Sequence, residues 1–197
     1  MGLAATLLFC QSAKAQFQFN KLQFFVGSGA DTAMLIVDFR DGTSDSSYAW
    51  GYLFNGTTDG ETILQDVAAA DVNFSTNTAG GFLNDVNYGQ HSGIGGQPNF
   101  WSTWSGTDTA SLNMNAGIGT TVNPNEWFAI SYTNFNPAAK PGLPIPAFNP
   151  NAFTFKDAKA WVGSGADSAL LVIDFLDQGG AYAWGVLFND STTGADL

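Results

Sequence analysis

The chain reads as an α+β protein: a mainly antiparallel β-sheet with one packed helix, followed by a truncated second copy. Three observations predict this. One stretch occurs twice, as Val26 to Phe54 (VGSGADTAMLIVDFRDGTSDSSYAWGYLF) and as Val162 to Phe188 (VGSGADSALLVIDFLDQGGAYAWGVLF). Glycine is abundant and aromatics make up 14% of the chain, which favours strands and turns. A single amphipathic helical pattern follows the first copy.

The repeated stretch predicts a hairpin. Ala33 to Phe39 (AMLIVDF) and Ala169 to Phe175 (ALLVIDF) are apolar, β-branched runs, as expected of a strand covered on both faces. The return strand alternates: Tyr48, Trp50, Tyr52 and Phe54 share one face, and Ala49, Gly51 and Leu53 share the other. The two residues missing from the second copy fall between the strands, where an exposed loop tolerates deletion. Thr58-Asp59-Gly60-Glu61 fits a capping box, and Ile63, Leu64, Val67 and Ala68 form one helical stripe. A helix over about Asp59 to Ala70 is expected, lying on the small face made by Ala49 and Gly51.

Beyond the helix, Phe74 to Tyr88 predicts one or two strands broken at Gly80-Gly81, and Gly89 to Asn99 a glycine-rich loop. Phe100 to Gly106 and Trp127 to Thr133 read as strands, with a weak strand over Ala110 to Asn115. Pro137, Pro141, Pro144, Pro146 and Pro150 mark an extended linker. The expected organisation is a signal peptide over 1–15, a first repeat domain over 16–134, a linker over 135–152 and a truncated second repeat, a β-hairpin, over 153–197.

Leu3 to Phe9 is a short apolar run, and Ala13-Lys14-Ala15 is a small-x-small cleavage site, the pattern of a secretory leader. Cys10, the only cysteine, would leave with it, excluding disulfides and cysteine metal sites from the mature chain. Losing Lys14 leaves five basic against seventeen acidic residues, a net charge of −12. Nucleic acid and anionic membranes are not expected partners, since both need basic patches. No membrane insertion beyond the leader is expected.

The pattern VGSG…LVIDF…YAWGYLF, a capped helix, then GGFLNDVNYG, FWSTWSG and EWFAISYT resembles a family of secreted bacterial surface proteins. Some members carry a sorting tail of the PEP-CTERM kind and others carry tandem copies. The resemblance covers about Leu22 to Thr133 and Phe153 to Leu197. It implies an extracellular, cell-surface module and no particular activity. A second likeness is to the β-grasp domain that closes over cobalamin in transcobalamin-like proteins. It rests on the order of two strands, a helix opening at Thr58, an aromatic strand ending at Trp104-Ser105-Gly106, a turn and Glu126-Trp127-Phe128. It implies a β-grasp-like sheet and a corrinoid ligand.

Four residues are candidates for ligand binding. His91 is the only histidine, in the Gly-rich loop, and can serve as an axial ligand to a corrinoid or haem. Trp101, Trp104 and Trp127 can stack on a corrin ring or a sugar. Trp101 and Trp104 lie three apart, hence on opposite strand faces. Asp31, Asp38 and Asp41 recur as Asp167, Asp174 and Asp177 and are candidates for Ca²⁺, although Asp is also a turn former. Gly27-Ser28-Gly29 leads into a strand and not a helix, so it reads as a tight turn rather than a phosphate cradle. No G-x-S-x-G elbow is present, so a hydrolase using His91 is the lesser alternative. The expected function is a secreted, non-enzymatic surface module that captures a small molecule, corrinoid or glycan, or else a structural, adhesive repeat.

Overall fold

A computed structural model describes residues 16–96, 98–149, 153–174 and 181–195. The leader, its cleavage site and Cys10, and the turn carrying Asp177, lie outside the described residues. The first repeat opens with β1 (Phe25–Gly27), β2 (Asp31–Asp38), β3 (Ser47–Phe54) and β4 (Thr58–Asp59), then helix α1 (Gly60–Ala70). It continues with β5 (Phe74–Ala79), β6 (Phe82–Tyr88), β7 (His91–Ile94) and β8 (Phe100–Gly106). After these come β9 (Asn113–Met114), β10 (Thr121–Val122), β11 (Trp127–Thr133) and β12 (Ile145–Pro146). The fold is α+β and dominated by strand, as its composition predicts.

The main sheet runs β1-β3-β2-β11-β8-β9, with β12 sharing the outer edge of β3 with β1. It is mixed, where a mainly antiparallel sheet is expected. β2 is antiparallel to β3 and β11 is antiparallel to β8, but β11 runs parallel to β2, Trp127 facing Met34 and Ser131 facing Asp38. β1 and β12 are also parallel to β3. A parallel pair needs a long crossover, and the segment from α1 to β10 supplies it. Smaller antiparallel sheets, β5-β6-β7 and β4-β10, stand outside the main one.

Every residue from Ala33 to Val37 is fully buried, as the uninterrupted apolar run predicts. Ala33, Leu35, Val37 and Phe39 join the core beneath α1, while Met34 and Ile36 join a second core with Phe17, Leu22, Trp104, Leu112 and Trp127.

The helix occupies the predicted span but packs on the opposite face of β3. Ile63, Leu64 and Val67 share a core with Tyr48, Trp50, Tyr52 and Phe54. The approach that Gly51 permits is made by β1: a Cβ added at Gly51 would run into the Phe25 ring. Two hydrogen bonds anchor the helical segment to the aromatic face. Trp50 Nε1 donates to Asp71 Oδ2 at 3.0 Å, and the Tyr52 hydroxyl to Asp66 Oδ2 at 2.5 Å. The cap sits one residue later than predicted. Asp59 Oδ1 accepts the Thr62 amide at 2.8 Å, because Thr58 and Asp59 are drawn into pairing with Val122 and Thr121.

Three further expectations are corrected. The loop 89–99 contains β7, which pairs Tyr88 with His91 and Asp85 with Ile94. The weak strand shrinks to β9. The proline-rich stretch is strapped to the domain: Ala147 is fully buried and donates its amide to the Ala49 carbonyl at 2.9 Å. Proline lacks a donor, so such a segment suits an edge.

The second copy adds an edge strand to the expected hairpin. β13 (Ala158–Gly163) lies parallel to β15 (Ala181–Phe188), and β14 (Asp167–Asp174) is antiparallel to it, matching β1-β3-β2. The match reaches the backbone: Gly27 and Gly163 have φ of +80° and +81°. An added Cβ would strike the carbonyl oxygen of Leu53 in the first copy and of Leu187 in the second. The short 3-10 turns Phe19–Lys21 and Phe155–Asp157 also correspond.

Two measurements check this account. Gly27→Ala should lower stability by about 1–3 kcal/mol, read as a lower urea midpoint at unchanged m, because it adds a left-handed strain and a backbone clash. Burial, reinforced by the Asp66 hydrogen bond, pushes the Tyr52 phenol from 10.0 up to about 12. A folded value above the unfolded one means the contribution is complete below pH 10 and fades toward pH 12. Tyr52→Phe should therefore flatten the alkaline limb of a stability–pH curve.

Candidate functional site

One cleft of about 570 Å³ stands out, within the range of small-ligand pockets. One wall is Phe82, Leu83 and Asn84 at the start of β6; the floor is Trp101 and Thr103 of β8; Phe100, Asn134 and Phe135 close the far side. Its rim is aromatic and open: Phe82 is 74% exposed, Phe100 40% and Phe135 44%. The Phe100 and Phe135 rings meet edge-to-face at 6.5 Å. Polar groups enter through Asn84, Asn134 and Thr103, and no described residue of the lining is charged.

The predicted tryptophans do not converge. Trp101 reaches the cleft from the core side, buried, its Nε1 donating to the Gly93 carbonyl at 3.0 Å. Trp104 points to the opposite face of β8, as the spacing requires, and is also buried, with Nε1 donating to Ser102 Oγ at 2.9 Å. Trp127 is buried in the second core beneath Phe17 and Phe19. The platform of Trp101, Trp104 and Trp127 is thus replaced by a floor of Trp101 and a rim of three phenylalanines. Two of these had a sequence signal that the tryptophans obscured. Phe82 directly follows the Gly80-Gly81 turn, and Phe135 adjoins the proline-rich stretch; large apolar residues beside turns are left outside the core.

His91 is neither in the cleft nor solvated. It is 5% exposed, on β7, stacked on Phe39 with ring centroids 5.3 Å apart. Nδ1 lies 2.5 Å from Asp41 Oδ2, and Nε2 lies 2.8 Å from the Tyr48 hydroxyl oxygen. That oxygen is also 2.8 Å from the Asp45 carbonyl, to which it donates. With both nitrogens engaged, no lone pair is free for a corrinoid or haem metal. The arrangement resembles a carboxylate–imidazole–hydroxyl relay, but its hydroxyl is a phenol 2% exposed, so no substrate carbonyl can reach it.

The three aspartates do not form a cation site. Asp31 Oδ2 accepts the Gly56 amide at 2.7 Å, a contact repeated by Asp167 Oδ2 and the Asp190 amide at 3.1 Å. Asp38 is buried and accepts the amides of Arg40 and Gly142 at 3.0 and 2.8 Å, with the Arg40 guanidinium 3.5 Å away. Asp41 is committed to His91 and Thr43. Among the described residues no group of three or more His, Cys, Asp or Glu side chains is placed to hold a metal ion. The recurrence of Asp31 as Asp167 goes with a repeated contact to a backbone amide across the hairpin.

No family model, no curated protein and no solved structure matches the chain.

Partial burial pushes the Asp41 carboxyl up, but hydrogen bonds from His91 and from the Thr43 hydroxyl and amide outweigh it, and the carboxyl is held below its ordinary 3.8. A folded value below the unfolded one contributes stability above pH 3.8 that is lost as pH falls through the folded value. Asp41→Asn should lower the urea midpoint at neutral pH and shrink its further fall in acid.

Proposed function

We propose that the chain is a secreted, non-enzymatic cell-surface module that captures a small ligand in the cleft between β6, β8 and the 134–135 turn. The observation that carries this is the rim: three exposed phenylalanines around a concave space with amide and hydroxyl groups and no charge. Exposed aromatic side chains gathered at one concavity mark a ligand surface more often than an accident of packing. An uncharged glycan suits it best, with sugar faces against the rings and hydroxyls on Asn84 and Asn134. A corrinoid is the second candidate. What supports it is the order of elements in the main sheet: a hairpin, a helix and, after the β5-β6-β7 sheet, strands β8 and β11, the latter parallel beside β2. The burial of His91 removes the axial-ligand part of that idea.

Secretion is supported by the leader pattern, and the surface address by the resemblance to tandem-repeat surface proteins. A structural, adhesive repeat is the reading that remains if the cleft binds nothing. A hydrolase using His91 has the least support, because the imidazole is enclosed.

Calorimetry of the full chain against a panel of neutral and acidic oligosaccharides and cobalamin tests the proposal. A neutral oligosaccharide is expected to bind, and Phe82→Ala, Phe100→Ala and Phe135→Ala each to weaken it about 3- to 10-fold, the scale of one aromatic contact. These rings are exposed, so the variants should fold normally. Absence of binding across the panel, or binding indifferent to all three substitutions, would remove the cleft as a site.

A further inference from the structure

We infer that His91 is a positioning residue: through its two ring nitrogens it fastens the β6–β7 hairpin to Asp41 of the loop between β2 and β3 and to Tyr48 of β3, and thereby helps set the wall of the cleft. The inference rests on the cleft being the site, but its mechanical part can be tested without a ligand.

The hairpin links clamp and cleft directly. β6 begins at Phe82, Leu83 and Asn84, which form the wall, and ends at Tyr88, the register partner of His91. β7 begins at His91, and just beyond its end the Gly95 amide donates to the Asn84 carbonyl at 2.7 Å. One end of this two-stranded unit therefore holds the imidazole and the other lines the cleft. The unit belongs to a sheet of its own. It meets the main sheet through the Tyr88 ring, which packs on Tyr48 and Trp50 with ring centroids 4.7 and 4.9 Å apart, and through the Gly93 and Ile94 carbonyls, which accept Trp101 Nε1 at 3.0 Å and the Tyr132 hydroxyl at 2.6 Å. Those two hydrogen bonds are neutral and lie toward the cleft end of the hairpin, Ile94 facing Asp85.

At the other end His91 contacts a carboxylate of the β2–β3 loop, Asp41, and the hydroxyl of Tyr48. Hydrogen bonds to an ionised group are about twice as strong as neutral ones. Loss of a partner would also leave a buried polar atom unsatisfied. Phe39 stacks on His91 and meets Trp101 edge-on with ring centroids 5.5 Å apart. A shift of the imidazole is thus passed to the cleft floor through one ring.

Amide hydrogen exchange and proton NMR on the full chain, without ligand, decide the matter. His91 is the sole histidine, so its ring protons assign themselves. The wild type should show a far-downfield imidazole proton, lost in Asp41→Asn. His91→Phe keeps the stack on Phe39 but not the bonds. It should raise exchange about tenfold or more at residues 82–95, with β2 and β11 unchanged. If His91→Phe fails to fold, Asp41→Asn carries the same expectation in smaller degree. Exchange that rises equally across the main sheet, or does not rise at 82–95, overturns the positioning role, as does absence of the downfield proton. Selective loosening at 82–95 supports it even if no oligosaccharide binds, so a failed panel and a failed clamp are distinguishable.

Discussion

The structure depends on the burial of one strand from both sides. β2 has α1 and the β5–β6 hairpin over one face and the Trp104–Leu112–Trp127 cluster over the other. Its edges are closed by β3 and β11. Each fully buried Leu, Ile, Val or Met side chain there contributes about 1.5–3 kcal/mol relative to exposure. A polar residue anywhere from Ala33 to Val37 would break one core or the other. Everything else is an arrangement for covering this strand: the aromatic face of β3 receives the helix, its glycine receives Phe25, and the proline-rich strap closes the edge beyond.

The second copy shows the same chemistry with less cover. Its three strands reproduce the order, the left-handed glycine and the aspartate-to-amide contact of the first. Leu170, Leu171 and Val172 are only half-buried, and Trp161, the counterpart of Phe25, is 48% exposed. Local geometry is therefore specified within the repeated stretch itself. Burial is not, because it comes from elements that in the first copy lie outside that stretch.

The candidate site sits where the main sheet meets the small β5-β6-β7 sheet. The rim phenylalanines occupy turns and strand ends, positions from which a side chain cannot reach either core. Several interior indoles and phenols have partners for their polar tips: Trp50 on Asp71, Tyr48 beside His91, Trp101 on the Gly93 carbonyl. A buried indole or phenol usually finds a partner for its N–H or O–H; the buried Nε1 of Trp127 is the exception among the described indoles of the first repeat.

Particular residues mark how far the sequence reaches. The two-faced burial of Met34 to Val37, the stripe of Ile63, Leu64 and Val67, and the break at Gly80-Gly81 are written in local periodicity. Periodicity survives folding because it is the condition for covering apolar surface. The sequence likewise determined that Trp101 and Trp104 part to opposite faces and that the glycine before each repeated strand is a turn. It did not determine which face of β3 the helix covers, since both faces are apolar and the choice lies with β1, remote from α1 in pairing. It did not reveal that His91 is enclosed, because Asp41 and Tyr48 lie 50 and 43 residues away. Nor did it place the cleft: Phe82, Phe100 and Phe135 belong to three segments with no common pattern. The antiparallel pairing of β8 with β11, Phe100 facing Thr133, sets Phe100 beside Phe135, and the bonds from Trp101 and Tyr132 to β7 bring the hairpin of Phe82 to them; no local signal encodes these long-range contacts.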